Sequence, residues 1–153
     1  MPDSMSSSGT DGGRPVDRLF ALYSAFHRNA ANKTAHWVCV PLIVWSVMGL
    51  LWSASPIAVY VALAGALAFY LWLSPPIALG MAVVLGIMLY GLQFLGAHTL
   101  VISAVVFVVA WIGQFVGHSI EGSRPSFLED VRSFLVGPAW LLGFLYRRLG
   151  IAY

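Results

Sequence analysis

The 153-residue chain is 59% hydrophobic and only 9% charged, with a mean hydropathy of +0.84. A soluble domain carries about 25% charged residues, so this composition excludes a soluble globular protein and a disordered chain alike. A net charge of +2 is too small to point to a nucleic-acid partner. Placement of the charges decides the class. All of them fall at positions 3–33 and 121–148, and the 87 residues from 34 to 120 include no Asp, Glu, Lys or Arg. No water-exposed surface sustains that. The chain reads as a polytopic membrane protein whose surroundings are the lipid bilayer.

Residues 1–15 are rich in Ser, Gly and Asp. They lack the basic start and apolar run of a signal peptide and read as a disordered tail. Residues 16–150 then read as one integral-membrane helical domain. Val16, Leu19, Phe20, Tyr23, Phe26 and His27 recur at helical spacing, while Asp17, Arg18 and Arg28 take other faces. That pattern predicts an amphipathic helix at a membrane surface. The polar decapeptide HRNAANKTAH follows, then four apolar segments at 36–53, 56–73, 76–95 and 99–118. Each is close to the ~20 residues needed to span a bilayer, and the breaks SASP, SPP and GAH carry turn chemistry. Pro41 falls in the first turns of its segment, where a helix tolerates it.

Four spans return the chain to its starting side, so all eight Lys and Arg residues share one face. Positive residues favour the cytoplasm. Both termini are therefore expected there, in a bacterial inner membrane or a eukaryotic endoplasmic reticulum. Beyond the fourth span, Ser126-x-x-Glu129 is a capping-box pattern that predicts a helix from near Phe127, with Gly137-Pro138 ending it. The apolar run 133–146 has the length of an interfacial or re-entrant segment, held at its end by Arg147 and Arg148. The expected fold is an all-α membrane protein of four transmembrane helices with flanking amphipathic or interfacial helices. Cys39, the single cysteine, reads as a small core residue and excludes a disulfide framework.

Chemistry concentrates on the face that holds the charges. His27, His36 and His118 all fall there. On one continuous helix His27 and His36 would point about 180° apart, so they converge only if the chain breaks between them. Asn29 and Asn32 are turn and cap residues able to make that elbow. Trp111, Gln114, His118 and Glu121 share one helical face, a polar stripe that normally looks into a bundle or a functional cavity. Gly113 and Gly117 beside it permit close helix approach. Taken singly, a membrane-boundary histidine reads more readily as a headgroup-facing residue than as a ligand. Three on one side, together with Gln, Asn and Glu, reverse that preference. Imidazoles plus a carboxylate suit iron, zinc or a related divalent metal. Glu121 is equally placed to ligate or to pair with Arg124 at i+3. Arg28 and Lys33 read first as positive-inside anchors and second as anion-binding groups. His98 lies in the turn before the fourth span, about 30 Å from His118 at helical rise, and is excluded from the site.

The stretches YSAFHRNAANKTAHWVCVPLIVWS and WIGQFVGHSIEGSRPSFLEDVRSFLVGP carry a resemblance to the membrane-bound 2-hydroxy fatty acid dioxygenase family, formerly a domain of unknown function. It extends over about 19–145, with the intervening spans alike only in hydrophobicity. His27, Asn32, His36, Gln114, His118, Glu121 and Pro125 match its motif positions, and Arg28 stands where some members carry another histidine. The resemblance implies an Fe2+-dependent enzyme of α-oxidation that uses O2 to shorten a 2-hydroxy fatty acid by one carbon. His27, His36 and His118 are then the expected metal ligands, with Glu121 a further ligand or an orienting group. Gln114, Glu121 and Asn32 become the expected catalytic side chains. Arg28, Asn29 and Lys33 become the expected substrate-binding ones. No motif requires an organic cofactor. Two rival classes use the same residues: a zinc-dependent membrane hydrolase and a non-catalytic lipid-binding protein with interfacial histidines.

Overall fold

The computed structural model describes residues 13–122 and 132–153. The described residues form helices α1 (Pro15–Ala25), α2 (Ala30–Ala54), α3 (Pro56–Leu73), α4 (Pro75–Leu92), α5 (Thr99–Glu121) and α6 (Arg132–Leu149), with a short 3-10 turn, Gly96–His98, leading into α5. They contain no strand. Helices α2, α3, α4 and α5 are long and apolar enough to cross a membrane, and α1 and α6 flank them. The protein is an all-helical, four-span membrane protein.

Local sequence explains the corners. Ser55 and Ser74 are single extended residues between helices, and each precedes a proline, which pushes its neighbour out of the helical region. Pro56 and Pro75 then occupy the first helical position, where a missing N–H costs nothing. Helix α5 stops at Gly122, whose φ of 73° is the left-handed conformation that glycine supplies at a helix end.

Three boundaries differ from expectation. The first span begins at Ala30, not 36, because Asn29 caps it by accepting a hydrogen bond from the Ala31 N–H at 2.8 Å. The elbow is therefore confined to 26–29, and Asn32 lies inside the helix. The third span ends at Leu92, where the chain tightens into i→i−3 hydrogen bonds from Gln93, Phe94 and Leu95. Gly137 and Pro138 do not end a helix; both lie within α6. The Tyr70 hydroxyl donates to the Leu135 carbonyl at 3.0 Å, beside the position where Pro138 brings no N–H. That bond falls one residue beyond the Phe134 carbonyl, which the proline leaves without its helical donor, and ties this turn of α6 to α3. Residues 1–12 of the expected 1–15 tail, and the capping box at Ser126 and Glu129, lie outside the described residues, while Pro15 of that tail already starts α1.

Helices α2 and α5 run antiparallel in close contact. A methyl group at Gly113 would come within 2.6 Å of the Cys39 Sγ, and one at Gly117 within 2.9 Å of both the Ala35 Cβ and the Asn32 Oδ1. Small residues at a membrane interface permit this approach. Helices α3 and α4 form a hairpin packed against α2. Helix α1 buries Val16, Phe20 and Tyr23 and packs on α6, tied to it by the Trp140 Nε1–H donating to the Ser24 Oγ at 2.8 Å. Helix α6 is tied in turn to α4 by the Tyr146 hydroxyl on the Pro76 carbonyl, 3.0 Å. Apolar side chains such as Ile57 and Leu79 point outward, 73% and 71% exposed, as a lipid-facing surface requires.

The contrast between glycines gives a test. Gly117→Leu drives α5 from α2, and overpacking of this kind costs about 1–3 kcal/mol; thermal unfolding in detergent should show a lowered midpoint. Gly86, with open space around its missing side chain, should accept leucine with an unchanged or raised midpoint.

Candidate metal centre

The elbow after α1 folds His27 back onto α2, where His36 sits in the second turn, and the last turn of α5 brings His118 beside both. Their ring centroids lie 4.1 Å (27–36), 5.0 Å (36–118) and 5.2 Å (27–118) apart. One nitrogen from each lies within 4.8 Å of the others, and all three residues are buried. The spacing is a cluster, and burial makes it a dry one.

Hydrogen bonds fix how two of the rings are protonated. His27 Nδ1 faces the Tyr23 carbonyl at 2.6 Å and His36 Nδ1 faces the Asn32 carbonyl at 3.0 Å. A carbonyl only accepts, so both Nδ1 atoms carry hydrogen. Each neutral ring then presents a lone pair on Nε2, and the two Nε2 atoms face one another at 2.8 Å. Two lone pairs at that distance repel. The contact is stable only with a positive charge, either a proton that makes one ring an imidazolium or a metal ion shared by the rings. Burial pushes the His27 pKa below its ordinary value, outweighing the opposing bond to the Tyr23 carbonyl, so the proton is disfavoured there. Three clustered imidazoles, two of them with carbonyl-anchored Nδ1–H groups, are a donor set suited to a divalent transition metal. The residues fit a metal ion.

Glu121 does something the stripe pattern alone did not specify. Its Oε1 accepts the N–H groups of Arg28 (2.7 Å) and Asn29 (3.0 Å), and its Oε2 accepts from the Asn29 N–H (3.0 Å) and the Asn32 Nδ2–H (2.9 Å). It thus holds the free N–H groups of the elbow at the start of α2, where a carboxylate is favoured by the helix dipole. This clasp joins the end of α5 to the segment that carries His27. Arg124, the alternative partner weighed from spacing, lies outside the described residues.

The remaining candidates separate by depth. Gln114 is buried and its Oε1 has no hydrogen-bond partner. It lines a cavity of about 30 Å³ together with Tyr23, His36 and His118, room for one or two water-sized groups. The Asn32 Oδ1 is likewise buried without a partner. Asn29 is committed as the cap of α2, and Arg28 in the elbow and Lys33 in the first turn of α2 are exposed. His98 is exposed in the 3-10 turn before α5, at the other end of the helix that carries His118. Sequence reasoning missed the role of Tyr23. Its ring stacks on His27 at 4.3 Å and 12° while its carbonyl holds that imidazole, and burial raises the pKa of its phenol, keeping it protonated. The i, i+4 spacing of Tyr23 and His27 was the available signal.

These features define a class: an integral membrane protein of four spans with a buried three-histidine cluster, able to hold a metal, at one end of its bundle. The family model described as 2-hydroxy-palmitic acid dioxygenase Mpo1-like matches residues 14–149, and the chain belongs to that family. No curated protein and no solved structure matches it.

Metal content after purification separates these roles. His27→Ala, His36→Ala and His118→Ala should each lose bound metal, while His98→Ala should keep it. Glu121→Gln replaces two acceptor oxygens by one and should lower metal affinity ~10–100-fold, the usual effect of removing an orienting partner. Wild-type affinity in that variant would show the clasp to be dispensable.

Proposed function

We propose that this chain is an Fe2+-dependent dioxygenase of fatty acid α-oxidation, which uses O2 to convert a 2-hydroxy fatty acid into the acid one carbon shorter. The observation that carries the reading is the pair of inward Nε2 lone pairs at 2.8 Å within a cluster of three buried imidazoles, taken with the family. His27, His36 and His118 would hold the iron, a neutral three-nitrogen set that leaves coordination positions free. The iron, when bound, would supply the redox chemistry that lets O2 react with a 2-hydroxy acid.

The reaction balances without a further reductant. Carbon 1 leaves as CO2, the bond between carbons 1 and 2 breaks, and carbon 2 becomes the new carboxyl carbon with release of one water. The substrate itself gives up the four electrons that reduce O2. That is consistent with a chain in which no organic-cofactor motif is seen.

The side chains around the cluster take supporting roles. The Gln114 amide oxygen, lacking a partner, accepts a hydrogen bond from the substrate hydroxyl, and an unpaired buried acceptor gains most from such a donor. Tyr23 orients His27 from below. Asn32 holds His36 through its carbonyl and Glu121 through its amide. Arg28 in the elbow and Lys33 in the first turn of α2, both exposed, attract the substrate carboxylate to the membrane face and anchor that face in the cytoplasm.

Turnover is tested on anaerobically purified, iron-reconstituted protein given a 2-hydroxy fatty acid, with O2 uptake and product mass measured. The expected result is one O2 consumed per shortened acid. Gln114→Leu should lower turnover with iron content retained. Metal binding with zinc and no O2 uptake would favour the hydrolase, and no metal binding at all would favour a lipid-binding protein.

Orientation has its own test. Cysteines introduced singly at Leu22 and Leu149 should be labelled from the cytoplasmic side, and one at Ala97 from the opposite side. Labelling of positions 22 and 149 from different compartments would overturn the even-span arrangement.

A further inference from the structure

We infer that the apolar cavity enclosed by α2, α4 and α6 binds the part of the acyl chain nearest the reacting head, with Val40 and Val44 as the junction between tail and head. The inference rests on the reading above and adds to it which part of the bundle takes the tail.

The cavity has a volume of about 160 Å³, and its wall includes Met81, Leu85 and Met88 of α4 and Leu142 of α6. Charged and hydroxyl side chains are absent from its lining. Val40 and Val44, one turn apart on α2, line both this cavity and the small one beside the histidines. Crossing that pair takes a ligand from His36, His118 and Gln114 into wholly apolar surroundings. Such a change of polarity over one turn matches an amphiphile with a compact polar head and an aliphatic tail.

Direction supports the same occupant. Helices α2 and α4 start from the same end of the bundle, since α3 returns the chain between them. Trp37 directly follows His36, and Trp37 to Val44 on α2, like Met81 to Met88 on α4, covers about 10 Å of helical rise. The cavity thus begins at the depth of the histidines and runs toward the middle of the bilayer, as a lipid tail does. A dry apolar cavity of about 150 Å³ accepts a six-carbon ring, so this one takes the first several methylenes and the rest of the chain leaves between α2 and α4 into lipid. Two methionines in the wall supply side chains that repack around a flexible ligand. A smaller cavity of about 110 Å³ between α2 and α3, which includes Leu63 and Ala66, also reaches Val44. Tyr70 brings a hydroxyl into its wall, which makes it the poorer match to a hydrocarbon.

Two measurements on the full, iron-loaded chain decide the matter. In the first, rates are compared for 2-hydroxypalmitate and for 2-hydroxybutyrate, whose chain is too short to pass the Val40–Val44 junction. Met88→Trp fills the cavity and should lower the long-to-short rate ratio at least tenfold with iron content unchanged, while Leu63→Trp should leave the ratio at its wild-type value. A ratio that falls for Leu63→Trp and holds for Met88→Trp overturns the assignment. In the second, a 2-hydroxy fatty acid with a diazirine within the first several methylenes of its chain is photo-crosslinked to wild-type protein with and without excess 2-hydroxypalmitate. Crosslinks at Met81, Met88 or Leu142 that the competitor removes support the cavity, even where Met88→Trp fails to fold. Crosslinks only at lipid-facing residues such as Ile57 and Leu79, indifferent to the competitor, overturn it. Competed crosslinks in the cavity without any turnover leave the binding site standing and sink the dioxygenase. Turnover without them does the reverse.

Discussion

The direct contact of α5 on α2 is the constraint on which the rest of the structure depends. With hydrogen as the side chain at 113 and 117, the two backbones approach until Cys39, Ala35 and Asn32 fill the space a methyl group would need. That approach places His118 beside His36, although the two lie on helices of opposite direction and far apart in sequence. It also lets Glu121 reach across to the N–H groups of Arg28 and Asn29. The elbow cannot then swing away without stripping a carboxylate of its hydrogen bonds. His27, the one member of the cluster that a spanning helix does not carry, is held by that clasp on one side and by the stacked Tyr23 ring on the other.

Polar groups in this bundle are costly unless they find partners, and their arrangement follows from that cost. The buried histidines, Asn32 and Gln114 gather at one end, where helix termini leave N–H groups free and where water is near. Asn32 and Tyr23 are each used twice there. The Asn32 carbonyl holds His36, and its amide holds Glu121. Tyr23 gives His27 both a carbonyl and a ring face. What this economy leaves unmatched is specific: the Nε2 lone pairs of His27 and His36, and the amide oxygens of Asn32 and Gln114. Unmatched groups beside three clustered imidazoles suit a cation and a hydrogen-bond donor, since binding of both would recover their desolvation cost.

The spans were legible because the absence of charge over 87 residues admits no other environment, and prolines after serines mark the corners. The polar face of α5 was legible because Gln114, His118 and Glu121 recur at helical spacing. The start of α2 was not, since the polarity of HRNAANKTAH masks a helix that its Asn29 cap and its contact with Glu121 stabilise from outside. The continuation of α6 through Gly137 and Pro138 was hidden for a related reason. Local propensity ends a helix there, whereas tertiary contacts, the packing of Tyr23 against Gly137 and the bond from Tyr70 to the Leu135 carbonyl, hold this turn in place. Tyr23 itself looked like one more apolar position on an amphipathic helix. Its role depends on the elbow, and the elbow depends on a residue 93 positions away.

Under the proposed function, a site about two helical turns inside one end of the bundle suits an amphiphile. A carboxylate stays near the membrane boundary because moving it toward the bilayer centre costs several kcal/mol, while each buried methylene contributes about 0.8 kcal/mol in the other direction. An acid whose head is held at the boundary therefore presents its first carbon–carbon bond only slightly below it. His36 lies six residues into α2, about 9 Å from its start at helical rise, and the elbow and α5 terminus bring the other two imidazoles to that level. A site built higher would leave the histidines hydrated and the tail exposed. One built deeper would force the carboxylate into hydrocarbon. Two helices that meet at one end of the bundle, clasped by a single carboxylate, are a way for four spans to hold three imidazoles together at the depth the proposed reaction requires.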